Sequence, residues 1–70
     1  MSYTISGSVN TDCNLTIIQE SNWTVVVSGV FTPVGFFNYQ VTDSGTHTII
    51  AVQDADGEVE AYGGISPIED

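Results

Sequence analysis

The sequence predicts an all-β fold, a small antiparallel β-sandwich of about six to seven short strands with no helix. Apolar and polar residues alternate with period two along much of the chain, which is typical of strands that bury one face. Turn residues interrupt this alternation about every 8 to 12 residues. No segment has the three-to-four spacing and the caps of an amphipathic helix. We therefore predict one domain over residues 1–64 and a C-terminal tail or arm over residues 65–70.

The first half of the chain predicts three strands. The first runs from Tyr3 to Val9, where Gly7 marks a bulge or a place of close packing. After a loop over residues 10–14, the second strand runs from Leu15 to Glu20. The third runs from Trp23 to Val30 and leads into a proline-containing turn.

The strongest local signal lies in the second half, from Phe36 to Val52. An alternating run is broken at residues 43–45, which include a glycine, and a run rich in Thr and Ile follows. This pattern predicts a β-hairpin. A second turn over residues 54–57 leads into a sixth strand from Glu58 to Tyr62, which residues 63–64 are expected to end.

The composition excludes several classes of function. Nine acidic residues and no Lys or Arg give a formal net charge of -9. Nucleic acids and anionic membrane surfaces bind through cationic side chains, so neither is expected as a partner. A membrane-spanning helix needs about 18 consecutive apolar residues, and no apolar run in the sequence approaches that length. No secretory signal is expected. A chain with this uncompensated negative charge folds more easily where concentrated salt screens the repulsion, so the composition favours a halophilic source. The alternative is an acidic mesophilic protein whose cationic partner supplies the missing charge.

A chain of this size needs a further source of stability, and the sequence offers few. A domain of about 60 residues buries only about 60% of the surface of its unfolded chain. The single cysteine, Cys13, cannot close an intramolecular disulfide, and a single histidine cannot build a zinc site. The remaining source of stability is oligomerisation or docking on a larger assembly.

Three segments of the chain resemble the carboxypeptidase regulatory-like domains, which share a transthyretin-like β-sandwich. The matching segments are an opening strand, a strand rich in aromatic residues and the strand after the glycine turn. Their residues are Ile5, Ser6, Gly7 and Val9; Gly35, Phe37, Tyr39 and Val41; and Ser44, Gly45, Thr46, Thr48, Ile50 and Ala51. His47 departs from the pattern, since the family usually has Tyr there, and the segment before the second strand is shortened.

The resemblance implies a non-catalytic module with an accessory, adhesive or structural role. In composition and size the chain is also similar to small virion proteins of tailed viruses of haloarchaea. This second resemblance implies a capsid decoration, turret or tail subunit.

Aromatic residues are the candidates for an interface. Phe36 and Phe37 are neighbours on a strand and so point to opposite faces. One of them therefore faces away from the core, and we expect the pair to mark contact with another subunit. Trp23 is expected to anchor the core, with an interface role as the alternative.

Other candidate sites each have a structural interpretation beside the functional one. Asp54, Asp56 and Glu58 alternate around a turn and offer oxygens to a cation such as Ca²⁺, although the further ligands of an EF-hand are absent and a simple hairpin turn is favoured. Asn14 and Asn22 each begin an N-glycosylation sequon.

Two single residues complete the candidates. Cys13 is expected as a buried or loop thiol, with an intermolecular disulfide as the alternative. His47 is expected as a packed strand residue, with a pH switch or a ligand as the alternative. No nucleophile elbow accompanies the Ser, His and Asp residues, so an enzyme is not expected.

We therefore predict a non-enzymatic structural subunit that forms homo-oligomers and binds other virion structural proteins, located in the virion or alternatively at the cell surface or outside the cell. Two alternatives remain open at this point. One is a glycan- or protein-binding module at a host surface, which exposed Tyr39, Tyr62 and Trp23 would favour. The other is an acidic inhibitor of a basic enzyme, which carboxylates gathered on one face would favour. No cofactor is expected apart from a bound cation.

Overall fold

The computed structural model describes residues 2–70, which form seven β-strands. The strands are β1 (Tyr3–Val9), β2 (Cys13–Gln19), β3 (Thr24–Thr32), β4 (Gly35–Val41), β5 (His47–Gln53), β6 (Val59–Ile65) and β7 (Ile68–Glu69).

Two antiparallel sheets pack face to face. One sheet has three strands in the order β4-β1-β7, and the other has four in the order β3-β2-β5-β6. The described residues contain no helix. The predicted all-β sandwich is therefore confirmed.

The core lies between the sheets and follows the period-two pattern. Alternate residues of β2 are buried while their neighbours are not, because successive side chains of a strand point to opposite faces. The buried apolar side chains are Ile5, Cys13, Leu15, Ile17, Val41 and Ile49. Two polar side chains, Thr32 and His47, are buried among them.

The predicted hairpin between Phe36 and Val52 is wrong, although both of its strands exist. β4 pairs with β1 in the three-stranded sheet, whereas β5 pairs with β2 and β6 in the other sheet. The segment over residues 42–46 therefore crosses from one sheet to the other. Gly45 does not have the positive φ of a tight hairpin turn. Its N–H instead bonds Asp43 Oδ1 at 2.6 Å, which turns the chain locally.

The second predicted turn does form a hairpin. Gln53 N donates to Glu58 O at 2.8 Å and Gly57, at φ 73°, donates to Gln53 O at 2.8 Å. β6 then continues through the two glycines that were expected to end it. The pairing with β5 shifts register before Ile65, and Gly64, at φ 68°, accommodates this irregularity.

The predicted C-terminal tail over residues 65–70 is instead part of the sandwich. Ile65 ends β6 and packs against the core. β7 pairs with the start of β1, through Tyr3 with Glu69 and Thr4 with Ile68. The Asp70 carboxylate accepts hydrogen bonds from the hydroxyls of Ser2 and Thr4, which fastens this end of the chain.

Candidate interaction surface

Charge is segregated in this molecule. Residues 21–42 contain no charged side chain, and all nine carboxylates lie before or after that segment. The segment includes β3 and β4, which are the outermost strands of their respective sheets. Only residues 33–34 join them, so the two strands lie at the same side of the sandwich. The two strands of that side carry no charge, although the Asp12 carboxylate reaches it and accepts the N–H of Val34 at 2.9 Å. β6 and β7 form the opposite, acidic side.

The uncharged side also carries most of the exposed apolar side chains. Within residues 2–70, seven of the ten large apolar residues with exposed side chains lie between residues 23 and 36. We call these seven residues the uncharged edge: Trp23, Val25, Val26, Val30, Phe31, Val34 and Phe36. Exposed apolar groups collected in this way mark an interaction site more often than a solvated surface.

The Phe pair behaves as strand alternation predicts. Phe36 is 91% exposed, whereas Phe37 packs against the core. The ring of Phe37 lies 5.8 Å from that of Tyr39, in a tilted arrangement. Of this Phe pair, only Phe36 offers its side chain to a partner.

The prediction that Trp23 anchors the core is wrong. Its side chain is 70% exposed, in the turn between β2 and β3. Its φ is 56°, the left-handed region that non-glycine residues rarely adopt. The sequence pattern extended β3 by one residue too many at this end, because the turn of Ser21 and Asn22 includes Trp23 as well.

β3 presents an unpaired edge. It pairs with β2 on one side only, and over its length from Thr24 to Thr32 it carries neither charge nor proline. Natural edge strands usually carry such residues because they prevent pairing with other chains. β3 does have register shifts against β2, and Gly29, at φ 58°, donates its N–H to Thr16 Oγ1 at 3.0 Å. The irregularity divides the free edge into two short segments.

Of the candidate cation ligands, Asp56 serves the hairpin turn that the sequence favours. Asp56 Oδ1 accepts the N–H of Glu58 at 2.9 Å, and Asp54 Oδ1 accepts a long hydrogen bond from Asn14 Nδ2 at 3.5 Å. Within residues 2–70, no group of three or more His, Cys, Asp or Glu side chains is arranged to hold a metal ion.

Glu20 fastens the ends of three strands. Its carboxylate accepts the N–H of Gly64 at 2.8 Å and the hydroxyls of Thr46 and Thr48 at 2.7 Å each. These bonds, that of Gly64 first, lower the pKa of Glu20 to about 2. Asp43 accepts hydrogen bonds from Gly45 N and Ser21 Oγ, which lower its pKa in the same way.

His47 lies beneath these carboxylates as a packed strand residue. It is 0% exposed, and neither ring nitrogen has a hydrogen-bond partner among the described residues.

The remaining candidates lie in different places. Cys13 is buried at the start of β2, and burial raises the pKa of its thiol. Asn14 is a half-buried residue of β2, and Asn22 is exposed in the turn, where its Oδ1 accepts bonds from Gln19 and from Thr24 N. The structure does not bring these residues together.

A cleft that the sequence did not predict opens on the acidic side. It has a volume of about 380 Å³ and lies between the end of β1 and the inward face of β5 and β6. Its lining includes Ser8, Val9, Ala51, Glu60 and Tyr62. Tyr62 donates its hydroxyl to the Glu60 carboxylate, which raises the pKa of Tyr62.

Fold and surface together define a small all-β sandwich with one apolar side, whose strands carry no charge, and one acidic side. No family model, no curated protein and no solved structure matches this chain. Across residues 2–70, no helix has the length and apolar character that crossing a membrane requires.

Proposed function

We propose that this protein is a non-enzymatic structural subunit that associates with its own copies and docks on a larger assembly through the uncharged edge. The observation that carries this proposal is the segregation described above. The exposed apolar side chains between Trp23 and Phe36 lie in a segment without charge, and all nine acidic residues lie outside that segment of the sequence.

A second copy is a suitable occupant of this edge for an electrostatic reason. Two chains of charge -9 repel each other, and the repulsion is weakest when their carboxylates are far apart. Contact through β3 and β4 places the acidic sides of both copies outward. A free antiparallel edge strand can also pair with its own copy about a two-fold axis, because such an interface uses the same residues on both sides.

For the larger assembly, we propose a virion of a halophilic tailed virus, as a capsid decoration, turret or tail subunit. The support for this step is the composition: no cationic side chain compensates the nine carboxylates. Molar salt shortens the range of their repulsion to about 3 Å. The resemblance to carboxypeptidase regulatory-like domains stays a prediction and agrees with a non-catalytic role.

The experiment is the solution mass of the purified chain by light scattering, at about 0.1 M and at 1 M NaCl. We expect a monomer at low salt and a defined oligomer at high salt. Phe36→Ser should remove the oligomer and leave the monomer folded. Val59→Ser is the control, since Val59 is also an apolar residue with an exposed side chain but lies on β6, at the acidic side. A monomer at both salt concentrations, or equal association of both variants, would contradict the proposal.

The structure gives the glycan-binding alternative little support. Trp23 precedes β3 and Tyr62 lies on β6, and these strands are at opposite edges of their sheet. Tyr39 is half-buried and its hydroxyl bonds Thr32 at 2.7 Å. The three aromatic side chains therefore do not form one platform for a sugar.

A cationic partner has a specific observation in its favour. The β5–β6 hairpin carries Asp54, Asp56, Glu58 and Glu60, and Asp54 N donates to the backbone oxygen of Asp12 at 3.0 Å. Four carboxylates are thus collected on this hairpin, and that of Glu60 lines the cleft.

A further inference from the structure

The three-stranded sheet is incomplete at its β7 edge. β7 pairs with β1 only at Tyr3 and Thr4, so the rest of β1 has no strand partner on that side. The reason lies in the chain just before β7. Pro67 lacks the N–H that would extend the ladder, and residues 66–67 must cross to β6 in the other sheet.

The alternation of backbone groups identifies which residues are unpaired. Asp70 N donates to Ser2 O at 3.1 Å, so the backbone groups of Ser2 point toward the β7 edge. In an antiparallel strand every second residue points the same way. The N–H and C=O groups of Ser6 and Ser8 therefore face the free edge, while those of Gly7 and Val9 face β4.

The cleft lies where a longer β7 would run. It is lined by Ser8 and Val9 on one side and by Ala51 and Glu60 on the other. Its volume of about 380 Å³ falls in the range of sites that hold a ligand. A strand added beside β1 would bond Ser6 and Ser8 and would place alternate side chains in this cleft.

The negative charge around the cleft determines which kind of segment can bind there. Glu60 lines the cleft, and three further carboxylates, those of Asp54, Asp56 and Glu58, lie on the same hairpin. The chain has no Lys or Arg, so no segment of a second copy can neutralise them. An extended segment of another protein that carries Lys or Arg can neutralise these carboxylates.

We propose that the free edge of β1 at Ser6 and Ser8, together with the cleft beside it, binds an extended, cation-bearing segment of another protein as an added strand. The added strand takes the place that β7 leaves empty. Its inward side chains enter the cleft, and an inward Lys or Arg pairs with Glu60. This site lies opposite the uncharged edge and does not depend on it.

The probe is the peptide acetyl-Thr-Val-Thr-Lys-Thr-Val-Thr-amide, whose Val and Lys side chains share one face of an extended chain. Binding is followed by NMR on the monomer at low salt. We expect shift changes at the amides of Ser6 to Val9 and along β5 and β6. Replacing the peptide's Lys by Glu should abolish binding. Glu60→Gln should weaken it about tenfold, the effect of about 1.4 kcal/mol.

Ser8→Pro tests the added strand itself. It removes one N–H from the free edge while leaving the pairing with β4, and we expect about tenfold weaker binding. Ser8→Ala, which keeps the N–H, is the matched control and should bind normally. If Ser8→Pro fails to fold, Ala51→Leu, which fills the cleft, takes its place.

Two results would overturn this proposal. One is the absence of shift changes at Ser6 to Val9. The other is a peptide that binds Glu60→Gln and the edge or cleft variant as tightly as the natural chain, since the acidic end then attracts cations without a strand site. Neither result bears on association through the uncharged edge, because Phe36→Ser reports on the other side of the sandwich.

Discussion

Gly7 and Phe37 face each other across the β1–β4 pair, and the ring of Phe37 fills the space that a side chain at residue 7 would occupy. A β-carbon at residue 7 would lie 2.9 Å from Cζ of Phe37, closer than such atoms approach in proteins. Phe37 in turn packs against the core and beside Tyr39. An aromatic ring that covers a strand glycine is a known way to fix register.

We expect Gly7→Ala to lower the free energy of unfolding by about 1 kcal/mol. The new methyl group displaces the Phe37 ring, and overpacking of this kind costs about 1 to 3 kcal/mol. The lower conformational entropy of alanine offsets about 0.5 to 1 kcal/mol of that. Thermal denaturation at fixed salt measures the change. Ser8→Ala, at the neighbouring exposed position, should have little effect, and a Gly7→Ala chain as stable as the natural one would contradict the packing argument.

Glu20→Gln should destabilise the fold at neutral pH. The carboxylate accepts three hydrogen bonds that join β2 to β5 and β6, and a neutral amide accepts them less strongly. The pKa of Glu20 is lowered from 4.5 to about 2 in the folded chain. Its contribution to stability is therefore complete above pH 4.5 and is lost as the pH falls toward 2.

Denaturation of both chains from pH 7 to pH 2 tests this. The difference in midpoint between the natural chain and Glu20→Gln should shrink through that window, since the natural carboxylate becomes protonated. Glu58→Gln, at an acid whose side chain makes no hydrogen bond within residues 2–70, controls for the general loss of negative charge. A difference that stays constant down to pH 2 would show that the charge of Glu20 is not what stabilises these strand ends.

His47→Leu should stabilise the fold at neutral pH. Both ring nitrogens of His47 are buried without a hydrogen-bond partner among the described residues, and an unsatisfied buried polar group costs about 1 to 3 kcal/mol. Leucine has a similar volume and no polar atom, so we expect a gain of about 1 kcal/mol in the free energy of unfolding. Chemical denaturation measures it. His47→Ala should instead destabilise, because it leaves a cavity, and a destabilised His47→Leu chain would mean that the imidazole is needed there.

Side-chain alternation alone predicted much of this fold. Six of the seven strands, the opposite directions of Phe36 and Phe37 and the close packing at Gly7 follow from period-two patterns and from the absence of a β-carbon, whereas β7 lies in the predicted tail. The pairing of β4 with β5 could not be predicted in the same way. Two strands that face each other across a core have the same inward pattern as two strands side by side in one sheet.

The candidate site was predicted only in part. The absence of charge from residues 21–42 can be read directly from the sequence. Its meaning depends on the sheet order, which places β3 and β4 at the same side. The sequence gives almost no indication of the cleft, because the cleft arises where β7 is too short to pair with the second half of β1. Pro67, which ends the pairing with β1, is the one residue that could have indicated it.

Trp23 has two features that lower the stability of the isolated chain, an exposed ring and a strained backbone. Its ring is 70% exposed, and its backbone is held at φ 56°, which costs a non-glycine residue about 1 to 2 kcal/mol. Strain of this kind persists where function requires the residue. We therefore expect Trp23→Asn to raise the stability of the monomer by about 1 kcal/mol, because asparagine tolerates this conformation.

The same variant should weaken association in 1 M salt, since Trp23 belongs to the uncharged edge. Trp23→Phe keeps both the aromatic ring and the backbone strain, so its stability and its association should resemble those of the natural chain. Denaturation of the monomer at low salt and light scattering at high salt separate the two effects. A Trp23→Asn chain that is more stable and still associates fully would remove Trp23 from the interface and leave its strained turn without a function.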